Sequence, residues 1–449
     1  MKWLFSILLG CATVCAQDPA SLPARPAPNW LTRGVMYQVW LRSFTPEGTL
    51  RAATKRLPPV ADLGANIIYL SPVCLQDADM RQEFWSKRQK ASGTNNPRNP
   101  YRIKDYNRID PEYGTERDLR EFIATAHKHG LRVLMDLVYY HCGPTSVLMK
   151  HPEFFKRDAA GKISTGEWNF PVLDFSNRQL REYLWANMAH WVKDFDVDGF
   201  RCDVSDKVPL DFWEEARARL EPLRPDLVML AEGRRKEDQL KAFDVNYSFP
   251  WEFAAVMVFH RGEPASSLRK LWEKMHAEYP KGARFIRYTE NHDIVNDQRR
   301  AEVICGERGA AVMAVVNFTL DGVPFLYNGQ EIGDTSPQSI YARWPVRWEA
   351  GCLPKSKAKY AFYQRLCQLR RTEPSLTNSE VVWLDTDQPD SVLAFRRNEI
   401  VTVASLSNRK LKVKVELPSK CSLLMTNGVK VAGGTLDMDA FGYLVGKGS

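Results

Sequence analysis

Residues 197–209 read VDGFRCDVSDKVP. The short apolar run has the composition of a buried strand, yet it ends on a carboxylate, Asp203, and a buried unpaired carboxylate is expensive to desolvate. Residues 287–297, RYTENHDIVND, set Asp293 among apolar neighbours in the same way. Both aspartates need a structural reason.

Working outward from Asp203, seven further apolar runs punctuate the chain: VMYQVW (35–40), NIIYLS (66–71), LRVLMDLV (131–138), LVMLAE (227–232), a weaker FDVNYSF (243–249), RFIRYT (284–289) and VPFLYN (323–328). Between them lie segments with apolar residues at helical spacing, such as ERDLREFIATAHKHG (116–130), which ends on a glycine stop, and QLREYLWANMAHWVKDF (179–195). Strand and helix in alternation, with near-continuous apolar strands, predict an α/β fold of the (β/α)8 TIM-barrel type over 31–375. An open doubly wound sheet is the alternative, and the lack of a Gly-rich phosphate loop after the first strand weighs against it.

Residues 142–173 break the rhythm, being rich in turn formers and lacking helical period, and predict a short excursion after the third strand. From 376 to 449 helical spacing gives way to short alternating runs (380–387, 391–397, 400–407, 411–417, 421–427), which predict a C-terminal antiparallel β-domain.

At the other end, MKWLFSILLGCATVCA (1–16) has a lysine, an apolar run and a small-residue cleavage site, so a signal peptide cut after Ala16 and an exported protein are expected. Lipid attachment at Cys11 is a rival processing that leaves a very short leader. Residues 17–30 are proline-rich and read as an extended linker. No transmembrane segment is expected in the mature chain. The net charge of +8, from 62 basic and 54 acidic residues spread along the chain, carries no polybasic tract and gives no reason to expect nucleic-acid binding. Two of the nine cysteines, Cys11 and Cys15, fall in the leader; the other seven form no CxxC pair, which argues against a zinc site and a dense disulfide framework.

In a (β/α)8 barrel the C-terminal strand ends converge on one face, where catalytic residues sit. Asp203 ends the fourth run, Glu232 the fifth, and Asp293 follows the seventh, so three acids are expected in one pocket. Such a set suits glycoside hydrolysis, in which one carboxylate attacks the sugar carbon and another, kept protonated, donates to the leaving oxygen. Arg201 lies two positions before Asp203 and points to the same face of a strand. Taken alone, that pair reads equally well as an ordinary ion pair.

DLVYYH (136–141), GFRCD (199–203), AEG (231–233) and ENHD (290–293), in this order and each at a strand end, resemble the four conserved regions of the α-amylase superfamily, glycoside hydrolase family thirteen. The resemblance runs from about Gly34 to Gly333, supported by GANIIYLSPV (64–73), by DYNRIDPEYGTERDL (105–119) with AHKHGLRVLMD (126–136), and by GVPFLYNGQEIG (322–333). It implies that Asp203 is the nucleophile, Glu232 the general acid and base, and Asp293 the residue that holds the sugar's 2- and 3-hydroxyls. It further implies retention of anomeric configuration, for which carboxyl separations of about 5 to 5.5 Å are usual. His141, Arg201 and His292 match the family's substrate-binding residues at the reacting glucose, and Tyr101 matches the aromatic that stacks under it. Asp136 matches a position that supports the site by hydrogen bonds.

Two departures from the family pattern argue against endo-amylase behaviour. Tyr140 stands where many amylases have an asparagine that ligates calcium, and Asp206 takes the place of a lysine that grips the sugar beyond the cleavage point. No metal or other cofactor is therefore expected, and calcium is disfavoured. The expected substrate is an α-1,4-linked glucan or maltooligosaccharide. A transglycosylase or sugar isomerase of the same superfamily, and a non-catalytic glucan-binding protein, are the competing readings.

Overall fold

A computed structural model describes residues 17–297, 299–432 and 434–448; the expected leader, 1–16, lies outside them. The eight apolar runs form eight parallel strands: β1 (Met36–Val39), β2 (Ile67–Leu70), β3 (Arg132–Leu137), β4 (Gly199–Cys202), β5 (Val228–Ala231), β6 (Val245–Asn246), β7 (Ile286–Arg287) and β8 (Val323–Tyr327). They pair in the order β6-β5-β4-β3-β2-β1-β8-β7, and a parallel bridge between Asn246 and Phe285 joins the two ends, so the sheet closes into the predicted barrel. Helices such as Glu116–Lys128 and Arg178–Phe195 connect successive strands. The first starts on a reciprocal capping box between Thr115 and Asp118, which satisfies two otherwise orphaned amides.

Because side chains alternate along a strand, every second residue enters the barrel. Met36, Ile67, Leu134, Val228, Ile286 and Val323 pack together as an apolar layer. One step toward the C-terminal ends the fully buried Gln38, Tyr69, Asp136 and Arg201 replace it with a polar layer. The register Cys202↔Ala231 then sets Asp203 and Glu232 side by side just past their strand ends. Close strand approach constrains β4 at its first residue: a Cβ on Gly199 would stand 2.0 Å from the Val228 carbonyl oxygen.

The expected excursion after β3 is present as two 3-10 turns, Val147–Lys150 and Pro152–Phe154, tied back by bridges His141↔Val172 and Phe155↔Leu173. A second excursion, which the sequence reading treated as part of the strand–helix rhythm, fills the connection after β2. It holds a two-stranded ladder, Cys74–Gln76 with Ile103–Ile109, and a short helix, Lys87–Ala91. The proline-rich segment, expected to be extended, holds a 3-10 turn at Pro19–Ser21 and runs into the short helix Asn29–Thr32, and it is pinned to the barrel rather than spanning free. Ala24 donates its amide to the Lys281 carbonyl, and Arg25 pairs with the buried carboxylate of Asp244.

Beyond the barrel six strands make an antiparallel sheet: β9 (Val382–Trp383), β10 (Val392–Arg397), β11 (Ile400–Ser405), β12 (Leu411–Lys414), β13 (Cys421–Ala432) and β14 (Thr435–Gly448). The reading of short runs missed β14, although it pairs with β11, β12 and β13. Its aspartates and glycines dilute the alternation that marks a strand, and it is held by ladder bonds on both sides. The seven cysteines among the described residues are free thiols.

Candidate active site

At the C-terminal face of the barrel a cavity of about 410 Å³ is lined by Tyr101, His141, Asp203, Glu232 and Asp293 together with Arg88, Asn99, Trp168, Phe170 and Tyr341. The three acids expected from strand positions therefore meet in one space. Arg201 organises one wall from behind. Its Nη1 donates to Asp136 Oδ1 at 2.7 Å and to Asp203 Oδ1 at 2.8 Å, and its Nη2 lies 2.7 Å from Glu232 Oε2. Burial alone would lower this guanidinium's pKa, but Asp136 and Glu232 outweigh it and hold the charge firmly.

The turn that carries Asp203 onto this wall is strained. Val204, β-branched, has φ 37° and ψ 49°, a left-handed conformation that costs a non-glycine residue about 1–3 kcal/mol. The bend aims the Val204 amide at Glu232 Oε2, 2.8 Å away. Gly233 completes the fit on the other side, because a Cβ there would meet Ser205 Oγ at 2.4 Å and Asp206 Oδ1 at 2.5 Å.

Asp293 enters from a different direction, in the first turn of the helix His292–Asp297. Arg88 Nη1 donates to its Oδ1 at 2.6 Å, and His292 Nε2 lies 3.3 Å from its Oδ2. Burial pushes this carboxyl up, but the charges around it win and hold it below the usual carboxylate range. Burial raises Asp203 and Glu232, with the Arg201 guanidinium opposing the rise in both. Asp293 adds to the rise of Glu232, and Glu232 to that of Asp203, so the two strand-end acids titrate as a linked pair.

The supporting residues form a continuous network. Gln38 Nε2 donates to His292 Nδ1 at 2.8 Å, which leaves the other ring nitrogen as donor to Tyr101 Oη at 2.6 Å. Tyr101 in turn donates to Asp136 Oδ2 at 3.2 Å, which also accepts from Tyr69 at 2.7 Å. His292 stacks on Trp40 at 4.8 Å between ring centroids. Burial lowers His292 to about 3 and His141 to about 4, so both imidazoles are neutral near neutral pH.

Sequence reasoning placed His141, Arg201, His292 and Tyr101 against the substrate. His141 and Tyr101 line the cavity. Arg201 and His292, each 1% exposed, stand behind the lining, where they fix the carboxylates and the Tyr101 phenol. Asp136 is equally buried and bonds only to other site residues, as its supporting position implies. Arg88, Trp168, Phe170 and Tyr341 escaped the reading. They sit on the two excursions and on the loop after β8, where no strand end or period marks them.

The two departures have structural consequences. Tyr140 packs edge-on to Trp168 at 5.9 Å and presents no amide oxygen. Of the nearby carboxylates, Glu167 pairs with Lys207, Glu153 stands by His151, and Asp158 accepts the amides of Ala160 and Lys162. No group of three or more His, Cys, Asp or Glu side chains is arranged to hold a metal ion among the described residues. The Tyr140 phenol is a poor substitute for the amide oxygen that the family resemblance implies as a calcium ligand. Asp206 accepts the amides of Arg234 at 2.6 Å and Arg235 at 3.1 Å, so it caps the loop after β5.

A closed parallel barrel with three carboxylates in one cavity at its strand ends is an arrangement suited to glycoside hydrolysis. The α-amylase catalytic-domain family matches residues 25–159 and 163–357, and the chain belongs to that family. It is 24% identical over 451 residues to a cyclomaltodextrinase of Geobacillus thermopakistaniensis, covering 88% of this chain and 72% of that relative. It is 26% identical to a maltogenic α-amylase of Bacillus acidopullulyticus, covering 87% and 72%. Among solved structures, an α-amylase from Lactobacillus plantarum superposes with a TM-score of 0.80 at 26% identity, covering 93% of this chain and 99% of that one. A noncanonic maltogenic α-amylase from Thermotoga neapolitana gives 0.80 at 25% over the same shares.

Proposed function

We propose that this glycoside hydrolase cleaves α-glucosidic bonds, mainly α-1,4, in starch-type glucans or maltooligosaccharides with retention of configuration. Asp203 attacks the anomeric carbon while Glu232 gives its proton to the departing glycosidic oxygen. The resulting glycosyl ester is then opened by water, whose proton returns to Glu232. Asp293 holds the 2- and 3-hydroxyls of the same sugar through an oxocarbenium-like transition state. Val204, Arg201 and the Gln38–His292–Tyr101 network keep these groups in place before substrate arrives.

The observation that carries this reading is the single cavity in which Asp203 and Glu232, bridged by one guanidinium, face Asp293. Relatives named cyclomaltodextrinase and maltogenic amylase support the substrate class. The test is to incubate the protein with starch, pullulan, maltotriose, a cyclodextrin, sucrose and trehalose, and to follow products and their anomeric form by NMR. Released α-anomers of glucose or maltose support the reading. β-Anomers would overturn retention, and longer or rearranged products would establish transglycosylation or isomerisation instead.

Export is part of the proposal and rests on residues 1–16. A mature N-terminus at Gln17 in protein recovered outside the cytoplasm supports it. A lipidated N-terminus at Cys11 would replace cleavage after Ala16, and an intact Met1 would refute both.

A further inference from the structure

Arg88 has no counterpart in the mechanism above, yet it makes the most direct contact to Asp293. Its Nη1 reaches Asp293 Oδ1, its Nη2 donates to the Asp293 carbonyl oxygen at 3.1 Å, and its Nε pairs with Asp297. The platform that carries it is locked. Ser86 caps the helix Lys87–Ala91 by accepting the Gln89 amide at 3.1 Å, and the buried Gln89 side chain donates to the Asn96 carbonyl at 2.9 Å. Arg88 is thus held by two carboxylates from a preset position, while about a third of its side chain stays open to the cavity.

The cavity has two chemically distinct ends. Glu232, as proton donor, faces the leaving oxygen, and beside it lies Val204, whose amide it accepts; Glu167, paired with Lys207, also lines the cavity. Asp293 grips the sugar that is transferred. Behind Asp293 stand Arg88 and Tyr341, whose hydroxyl lies 3.4 Å from Ser86 Oγ, and Ile340, whose amide donates to Asn296 Oδ1 at 3.0 Å. A glucan chain extending past Asp293 needs an open trough there. The guanidinium stands directly against Asp293 and lines the cavity there, and its N–H groups are suited to the hydroxyls of a chain end.

We propose that Arg88 is a specificity-determining residue that closes the glycon end of the cavity, so that the enzyme cuts glucan chains near their non-reducing end. This rests on the assignment of Asp293 to the transferred sugar. Asp297 anchors the arginine and has no part in the chemistry.

The test uses maltoheptaose labelled at its reducing end, with labelled products resolved by length at early times. The wild-type enzyme is expected to leave the label on chains shortened by about one or two glucose units, and Arg88→Ala to raise the ratio of internal to terminal cuts by about tenfold or more. Asp297→Asn, which loosens the arginine without touching Asp293, should move the ratio the same way by less, and it decides the matter if Arg88→Ala does not fold. A wild-type enzyme that cuts internal bonds freely overturns the proposal. So does an Arg88→Ala enzyme whose turnover falls with an unchanged cut pattern, because Arg88 would then serve only as counterion to Asp293. Absence of turnover on any α-glucan by the wild type would instead remove the parent reading, and this proposal with it.

Discussion

On one wall of the cavity three carboxylates, those of Asp136, Asp203 and Glu232, share the guanidinium of Arg201, whereas on the other Asp293 has His292 beside it and an arginine shared only with Asp297. Burial acts on all four acids. It prevails on the crowded wall, where one positive charge is divided among three negative ones, and loses on the other, where Asp293 is held below the usual range. The contrast teaches that local charge count, more than depth, sorts the acids. Between the two raised acids the mechanism puts the proton on Glu232, which delivers it to the leaving group, and needs Asp203 ionised beside the Arg201 guanidinium, whereas Asp293, held below the ordinary range, can only accept hydrogen bonds from sugar hydroxyls.

Breaking the crowded wall should have the largest effect. Asp203→Asn preserves volume and hydrogen bonding but deletes the nucleophile, and kcat on maltooligosaccharides should fall by several orders of magnitude while the melting curve and glucan binding persist. A variant retaining more than about a hundredth of wild-type activity would take Asp203 out of that role. Glu232→Gln should be nearly as damaging on natural glucans but much less so on α-glucosyl fluoride, whose leaving group needs little protonation. Added azide should restore turnover by replacing base-assisted water. Equal impairment on both substrates with no azide effect would make Glu232 structural.

The raised carboxyl of Glu232 also sets a pH dependence. A general acid works while protonated, so kcat/KM should decline as pH rises through its pKa, and that alkaline limb should lie above the ordinary carboxyl value. Stability should move on the acid side for a different reason. His141 and His292 are neutral in the folded protein down to about 4 and about 3, while in the unfolded chain each takes a proton near 6.5. Between these values the unfolded state binds more protons at these two residues, so their contribution to stability falls as pH drops below about 6.5, by up to roughly 3 kcal/mol from His141, against the raised carboxyls of Asp136, Asp203 and Glu232, which act the other way. Melting temperature followed from pH 7 to 4 in wild type and in His141→Gln should show the wild type losing more stability than the variant over that range. An unchanged slope in that variant would place the acid sensitivity elsewhere.

The smallest expected effect is none. With Tyr140 packed on Trp168 and the neighbouring acids engaged elsewhere, a chelator should alter neither activity nor melting temperature, since no bound ion would contribute free energy to the folded state. A melting temperature that drops by several degrees in chelator and recovers with calcium would reveal a relocated site.

The barrel and its three acids were legible because parallel strands buried on both faces leave apolar runs, and a carboxylate at the end of such a run stands out. Arg88 was not legible. Its surroundings, RQEFWSKRQKAS (81–92), have the mixed charge of a solvated surface, and its partner Asp293 lies 205 positions away. Trp168 and Phe170 sit in an aperiodic loop, where an aromatic gives no hint of which cavity it will line.

The order of apolar runs by itself determined the closed barrel and the face on which Asp203, Glu232 and Asp293 would meet, because strand direction and side-chain alternation are local properties of the chain. Only the tertiary structure decided which guanidinium each acid would share, that Arg201 and His292 would work from behind the cavity wall, and that a loop arginine would stand against Asp293. Those outcomes depend on through-space charge and burial, which act between residues far apart in the chain and leave no periodic trace along it.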